Sequence, residues 1–479
     1  MKRPSLKLRI TGWFALMMFV IEALVLAFLL AVNGTVATND PEARLVRMVE
    51  HNANRVKYNN PKNAADMLEN RGFTRLYENE SWKLCRGGSY YFLRNDCCLI
   101  AFKLPKEEFS GFKIFSCHGD SPAFKMKENP ERKTAPYVTL NVERYGGTVP
   151  YLWFDRPLSV SGRVFVKTDC GAKMKLVNFG RPLLLIPSLA PHLRTGEEIY
   201  SKIKIQKEIQ PLISGDAEFS LRRAVANELG VSPDDIISHD LFATNCQEGE
   251  IFGGGREFFC CPRIDDLLCA YGGLLGFADG QNASSASVYA LFDNEEVGSS
   301  SRQGALSDIL RLTLSRINSS LGIPESRLFE QLANSFALSA DNGHALHPNF
   351  PEKADPTNRP VLGGGILIKH SANQKYTTDG LSSAVFKTIL EREGIPFQTF
   401  VNHSDIPGGS TLGNLSGRQV SVASADIGMA QLAMHSPCEI GSVKDVYQLY
   451  AGTKSFFSSS IKFLKDGGFS IDRKPTGEA

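Results

Sequence analysis

The stretch VYALFDNEEVG, Val288–Gly298, is an apolar run that stops abruptly on Asp293, Asn294, Glu295 and Glu296. Val288, Tyr289, Ala290, Leu291 and Phe292 are apolar on successive residues, which predicts a strand covered on both faces. A strand of that kind belongs to the interior of a layered fold. Its carboxylates then crowd together at one strand end, where like charges repel and burial favours the protonated form. A divalent metal reverses that preference. The plainer account is a polar exit from strand to loop, with Gly298 in the turn. What else the chain supplies decides between them.

At 479 residues the chain is too long for one ordinary core, so two domains, or one domain with a large insertion, are expected. A net charge of +2 gives no reason to expect nucleic acid as a partner. Heptads, tandem repeats and long low-complexity tracts are lacking. The ten cysteines include the adjacent pairs Cys97-Cys98 and Cys260-Cys261 but form no CxxC, so neither a zinc ribbon nor a disulfide framework is indicated.

The first forty residues have a different texture. Lys2, Arg3, Lys7 and Arg9 precede an apolar run from Trp13 to Val32, interrupted by Glu22. Its length is about that needed to cross a bilayer, roughly 20 residues, and exceeds the usual core of a cleaved signal. A signal-anchor or signal peptide over residues 1–40 is expected, with membrane contact through residues 13–32. A buried amphipathic helix is the alternative, although the run shows no polar face.

Beyond this the texture is mixed α/β. The pattern predicts a helix over Lys62–Asn70, two strands over Ser89–Phe102 about an Arg94-Asn95-Asp96 turn, and a strand over Lys113–Cys117. From about Phe124 to Cys246 consecutive strands take over: Val138–Val142, Leu158–Lys167 and Lys173–Phe179, with a helix at Leu221–Leu229. After Arg263 helices and buried strands alternate. Leu267–Gly276, Gly304–Arg316, Ser382–Glu393 and Met429–His435 read as helices, and Val288–Phe292, Ser335–Ala340 and Phe397–Val401 as strands. Alternation of this type implies a parallel or mixed sheet with helices on both faces, whose ligands sit at the carboxyl ends of the strands.

Metal-binding residue types stand at those ends. His118 and Asp120 follow one strand, Asp265 opens a helix, Glu295 and Glu296 follow another strand, and Asp341 precedes His344 and His347. His435 lies near the C-terminus. Each alone has an ordinary account, such as a helix cap at Asp265 or a turn at Asp341. Together they form a donor set of imidazole and carboxylate without thiolate, which suits zinc, with manganese or cobalt as substitutes.

These segments resemble a known family. His118-x-Asp120-Ser121-Pro122, Pro262-Arg263-Ile264-Asp265, Asp293-Asn294-Glu295-Glu296-Val297-Gly298-Ser299, Ser339-Ala340-Asp341-x-x-His344-Ala345-x-His347-Pro348-Asn349 and Leu432-Ala433-Met434-His435-Ser436 are similar to successive signatures of the aspartyl aminopeptidases, the family that also holds vacuolar aminopeptidase I. The order is kept from about Gly72 to Phe457 and includes Asp155-Arg156-Pro157-Leu158 and Ile186–Leu193. The resemblance implies a zinc-peptidase-like three-layer α/β/α sandwich with an inserted β-rich dimerisation domain. Its parts would be residues 41–123 and 247–479 for the catalytic domain and 124–246 for the insertion.

Carried over by motif, His118 and Asp341 would hold one Zn2+, Glu296 and His435 a second, and Asp265 would bridge them. Asp120 would orient the His118 ring. Glu295, next to a ligand but not itself one, would be the general base, and adjacency on an extended segment would point it and Glu296 in different directions. The family prefers acidic N-terminal residues, which implies a cation in the specificity pocket. Lys369 matches that position, although a surface lysine after a strand is the ordinary alternative. His344 is a candidate substrate contact, and His192 a candidate donated by a neighbouring subunit. A dimer-based homo-oligomer, up to a dodecamer, acting on peptide substrates would follow, and the family default is cytoplasmic or vacuolar.

The chain departs from the family pattern in places. Asp266 stands where asparagine is usual, Asn342-Gly343 replaces bulkier residues, and residues 1–40 have no counterpart. Two other readings stay open at this point: an aminopeptidase with neutral-residue specificity, and a non-catalytic membrane-tethered scaffold of the same fold.

Overall fold

Nine strands build the sheet that carries the carboxylate-ended strand. The computed structural model describes residues 60–134, 136–193, 203–281 and 284–473. The N-terminal apolar run lies outside the described residues, among which no helix is long and apolar enough to cross a membrane. In chain order the strands begin with β1 (Thr74–Arg75), β2 (Ser89–Arg94), β3 (Cys98–Lys103) and β4 (Phe112–His118). Next come β5 (Ala123–Thr134), β6 (Tyr137–Tyr145), β7 (Leu158–Thr168), β8 (Gly171–Asn178), β9 (Leu212–Ser214) and β10 (Ile236–Asn245). After β11 (Glu250–Phe252) and β12 (Phe258–Cys261) follow β13 (Ala286–Phe292), β14 (Phe336–Ala340) and β15 (Gly343–His344). The last are β16 (Ile366–His370), β17 (Phe397–Val401), β18 (Ala423–Gly428), β19 (Ala430–Gln431) and β20 (Glu439–Ser442).

The large sheet runs β1-β2-β3-β13-β4-β14-β18-β16-β17. Its centre, β13-β4-β14-β18, is parallel, and β3 and β16 join antiparallel on either side. The sheet is therefore mixed, as the alternation of helices and strands implied. β13 is buried along its whole length, and its side chains divide between two helical layers. Val288, Ala290 and Phe292 join a cluster with Ile309, Leu310 and Leu314 of the helix Ile309–Ser320. Tyr289 points the other way, stacked on Phe115 at 5.9 Å, with its hydroxyl donating to Ala270 O in the helix Ile264–Asp279. Burial of each large apolar side chain here contributes about 1.5–3 kcal/mol, so a charge on either face of β13 is strongly disfavoured.

Close approach on the second face needs glycine. A Cβ on Gly273 would lie 2.1 Å from Phe115 Cε1, and one on Gly276 2.7 Å from Thr453 Cβ in the helix Val443–Ser458. Each glycine costs a helix about 0.5–1 kcal/mol, a cost offset by packing the helix directly on β4 and on its neighbour.

A second sheet, β8-β7-β10-β5-β6-β9, uses only strands between Ala123 and Asn245. It has its own core of Phe124, Leu140, Val142, Leu158, Val160, Val164 and Leu241, closed by the helix Leu221–Leu229. Ser220 caps that helix by accepting from Arg223 N, and Gly230 ends it in the left-handed region at φ 63°.

Two expected helices need correction. Met429–His435 is no helix: it comprises β19 and a turn in which Ala433 and His435 have φ of 56° and 65°. Its backbone is claimed from outside, by Gly343 N on Met429 O, Ala345 N on Gln431 O and the Leu432–Ile440 bridge, which overrides the helical propensity of alanine, leucine and methionine. The helix expected from Gly304 begins only at Ile309, because Leu306 N instead bonds back to Ser299 O.

Candidate metal centre

The parallel strands deliver their polar termini to one edge. His118 closes β4 in register with Phe292 of β13, and Asp341 follows β14, where Ala340 pairs with Ile427. Asp265 comes from the start of the helix after β12, and His435 from the turn between β19 and β20. Glu295 and Glu296 occupy a single 3-10 turn, Glu295–Val297, entered through Asn294 at φ 62°. The extended segment expected for them is corrected on this point. The chain turns at once because Asn294 adopts the left-handed region that asparagine tolerates.

Asp265 lies between the two histidines. Its Oδ1 is 3.4 Å from His118 Nε2 and its Oδ2 3.4 Å from His435 Nε2. Asp341 Oδ1 approaches the same His118 nitrogen at 3.8 Å, and Glu296 Oε2 approaches His435 Nε2 at 3.5 Å. One carboxylate thus spans two imidazoles, each with a further carboxylate beside it. Asp266, joined to Asp265 by a cis peptide bond, also enters the cluster: ligand-type atoms of His118, Asp266 and Asp341 lie within 4.8 Å of one another.

The ring nitrogens not aimed at this cluster are held by carbonyls. His118 Nδ1 donates to Asp120 O at 3.1 Å and His435 Nδ1 to Gly147 O at 3.2 Å. A carbonyl only accepts, so each Nδ1 carries hydrogen and each Nε2 faces carboxylate, open to a proton or a metal ion. Facing lone pairs repel unless a proton or a cation lies between them. The side-chain atoms Asp265 Oδ1, Asp266 Oδ1 and Glu296 Oε1 are moreover buried and accept no hydrogen bond from protein. Orphaned acceptors, two oriented imidazoles and no thiolate fit a divalent metal such as zinc. The nearby thiols of Cys117 and Cys269 are pushed well up by burial and stay neutral.

Two carboxylates organise the backbone around the cluster. Asp120 accepts Glu295 N on Oδ1 at 3.1 Å, and Glu296 N and the Tyr145 hydroxyl on Oδ2 at 3.2 and 2.7 Å. Burial alone would raise its pKa, but His118 above all, together with Tyr145, holds it below the ordinary value. Glu439 accepts Asp265 N on Oε2 at 2.9 Å and His435 N on Oε1 at 2.6 Å. Burial, followed by Asp265, pushes its carboxyl up to about 8.

Tyr145, at the end of β6, also accepts Asn294 Nδ2 at 2.9 Å. The glycines after it sit against the cluster, since a Cβ on Gly146 would lie 2.9 Å from Glu296 Cβ and one on Gly147 2.7 Å from His435 Nδ1. Sequence reasoning missed Tyr145 and Glu439. Glu439 carried a weak signal, an acidic residue four positions past His435, whereas Tyr145 carried none.

Charge in the centre follows from this crowding. Burial disfavours the His118 imidazolium, yet Asp120, Asp265 and Asp341 outweigh it and hold the pKa well above the ordinary value. Burial pushes Glu296 well up, Asp265 adding to the effect, and pushes Glu295 up to about 7. Burial likewise drives Asp266 toward its neutral form, which tempers the negative charge it adds.

Lys369 is no surface residue: it is 1% exposed, its Nζ donates to Asn342 O at 2.7 Å, and it lies 5.4 Å from the centroid of the Tyr376 ring. Burial would lower its pKa, but Asp341 and Tyr376 hold it raised, so it stays cationic. His344 keeps an exposed edge in a concave surface, where crowding by protein, then Lys369, lowers its pKa. His192 is exposed in the short turn Pro191–Leu193 and makes none of these contacts. The fold thus brings together His118, Asp120, Asp265, Glu295, Glu296, Asp341 and His435, sets Lys369 and His344 beside them, and leaves His192 apart.

An α/β sandwich that gathers two imidazoles about one shared carboxylate at its strand ends has the frame of a metallohydrolase. The profile of the family described as "Aminopeptidase I zinc metalloprotease (M18)" matches residues 51–457. "Probable M18 family aminopeptidase 2" of Clostridium novyi (strain NT) is 40% identical over 404 residues, 82% of this chain and 93% of that protein. "Probable aspartyl aminopeptidase" of Ricinus communis is 32% identical over 444 residues, 82% of this chain and 90% of that protein. The solved "Structure of S. cerevesiae mApe1 dodecamer" superposes with a TM-score of 0.76 at 28% identity, covering 87% of this chain and 96% of its own. The chain belongs to the M18 family and is a zinc metallo-aminopeptidase, a hydrolase. The scaffold reading is thereby set aside.

Proposed function

We propose that this enzyme removes N-terminal aspartate or glutamate from peptides with a pair of zinc ions in each subunit. Asp265 placed between His118 and His435 carries the proposal. His118 and Asp341 would hold one ion and Glu296 and His435 the other, with Asp265 standing between the two histidines. Zinc at such a centre supplies Lewis acidity and acidifies water.

The remaining work falls to the chain. Glu295, next to Glu296 in the same turn, would take a proton from the attacking water at Oε and return it to the leaving amine. Asp120 fixes the His118 ring and, through its two N–H acceptances, sets the turn from which Glu295 and Glu296 project. Lys369 stays cationic beside Asn342 and meets the acidic side chain, with His344 at the mouth of the site. The name of the Ricinus communis relative supports the acidic preference.

The six-stranded sheet, within residues 124–246, serves as a dimerisation domain between catalytic segments 41–123 and 247–479. The dodecamer named for the yeast relative supports a homo-oligomer. In a dimer-based assembly the exposed His192 would enter a neighbour's site. Hydrolysis of Asp-, Glu- and Leu-anilides with and without zinc tests the reading, with Asp and Glu favoured over Leu. Replacing Lys369 with Met should reduce that preference at least ten-fold, and an unaltered ratio would show that the acidic side chain is read elsewhere.

A further inference from the structure

A cavity of about 450 Å³ opens beside the centre and has no part in the roles assigned so far. We propose that it is the subsite for the residue following the scissile bond, shaped for a bulky apolar side chain. The proposal rests on the aminopeptidase reading and on Lys369 receiving the first residue.

The cavity belongs to the active centre. His344 lines it three residues after Asp341, and Ala433 lines it two residues before His435. His344 also lies within electrostatic reach of Asp265, His435 and Asp341, which sets the cavity beside the centre.

Its chemistry is unlike that around Lys369. Ala345, Phe350, Pro360, Phe400, Ile406 and Leu432 supply apolar walls, and the volume is that of a small-ligand site, far larger than one carboxylate needs. Lys369 does not line it. Tyr376 stands between the two: the Lys369 ammonium lies over its ring at 5.4 Å, while Phe400 and Asn402 of the cavity wall meet it at 6.0 Å between ring centroids and 3.0 Å at the hydroxyl. A first residue bound at Lys369 leaves the cavity to the next one.

The zinc-loaded full chain, assayed on Asp-Gly, Asp-Ala, Asp-Leu and Asp-Phe beside a matching Leu-X series, tests this without any mutation. The expected result is a rise in kcat/KM of about ten-fold or more from Gly to Phe at the second position, in the range one apolar pocket supplies. Ile406→Trp, at the open rim, should cut the Phe-over-Gly ratio at least five-fold. A flat second-residue profile in the unmodified enzyme overturns the proposal, as does an Ile406→Trp variant that changes the choice of first residue instead. Loss of the Asp-over-Leu preference with the second-residue profile intact refutes the role of Lys369 and leaves this subsite standing.

Discussion

Replacing Tyr145 with Phe isolates one atom of the scaffold around the metal ligands. The hydroxyl donates to Asp120 Oδ2 at 2.7 Å and accepts Asn294 Nδ2 at 2.9 Å. A hydrogen bond to a charged acceptor is worth about 1.5–3 kcal/mol, and leaving the Asn294 amide short of an acceptor adds about 1 kcal/mol. The expected loss is therefore about 3 kcal/mol, a fall of a few degrees in melting temperature for a body this large. Asp120 would still touch His118, but with one restraint fewer on its carboxylate. Tyr145 stands one step further out than a direct partner of a ligand, so zinc binding should weaken by about ten-fold, the low end of what outer partners supply. Zinc titration in competition with a chromogenic chelator measures this directly, and activity at saturating zinc should return to within a few-fold of the parent. If the variant melts earlier yet binds zinc as tightly as the parent, Tyr145 is merely structural and the positioning argument fails.

The other expectations are simpler to test. Glu295→Gln should lower kcat by about 10³-fold or more, within the range of general acid–base and electrostatic contributions, while zinc content by metal analysis stays at the parent level. Full activity in that variant would displace the base. Returning zinc to chelator-stripped enzyme should raise its melting temperature, since ligand at about 100 times Kd stabilises by roughly 2.7 kcal/mol, and an unmoved transition would mean that the cluster binds no zinc. Buried Lys113 is lowered to about 7, by burial and then by Lys103. Between pH 7 and 10 the unfolded chain therefore holds a proton there that the folded chain lacks, and stability rises with pH. Lys113→Met should flatten the rise in urea midpoint between pH 7 and 9, and an unchanged slope would refute the assignment.

Much of the site was legible because it sits where the sequence changes character. Glu295 and Glu296 come after an unbroken apolar run, His118 and Asp341 come at the ends of mostly apolar strands, and the register of β4 with β13 places His118 opposite Phe292. Leu221–Leu229 was readable from its Ser220 and Gly230 caps. The helix expected at Met429–His435 failed because its hydrogen bonds come from Gly343, Ala345, Ile440 and Glu439, contacts without any local trace. β18 was overlooked since serine, alanine and Asp426 interrupt its pattern. Asp426 is buried there because Thr411 and Thr377 bond its carboxylate. Tyr145 lies 25 residues from the carboxylate it serves, and only the meeting of two sheets brings them together.

That meeting sets the order in which the enzyme can come alive. Tyr145, Gly146 and Gly147 leave the second sheet and press on Asp120, Glu296 and His435. A chain whose first sheet has formed alone would carry the motif residues without the wall that aims them. Such a half-folded chain would take up zinc poorly and cut nothing, including its unfolded siblings. Refolding experiments should therefore see helix and sheet signals recover before hydrolysis does, with the interval marking the docking of the second sheet. A peptidase assembled this way stays silent until its architecture is complete.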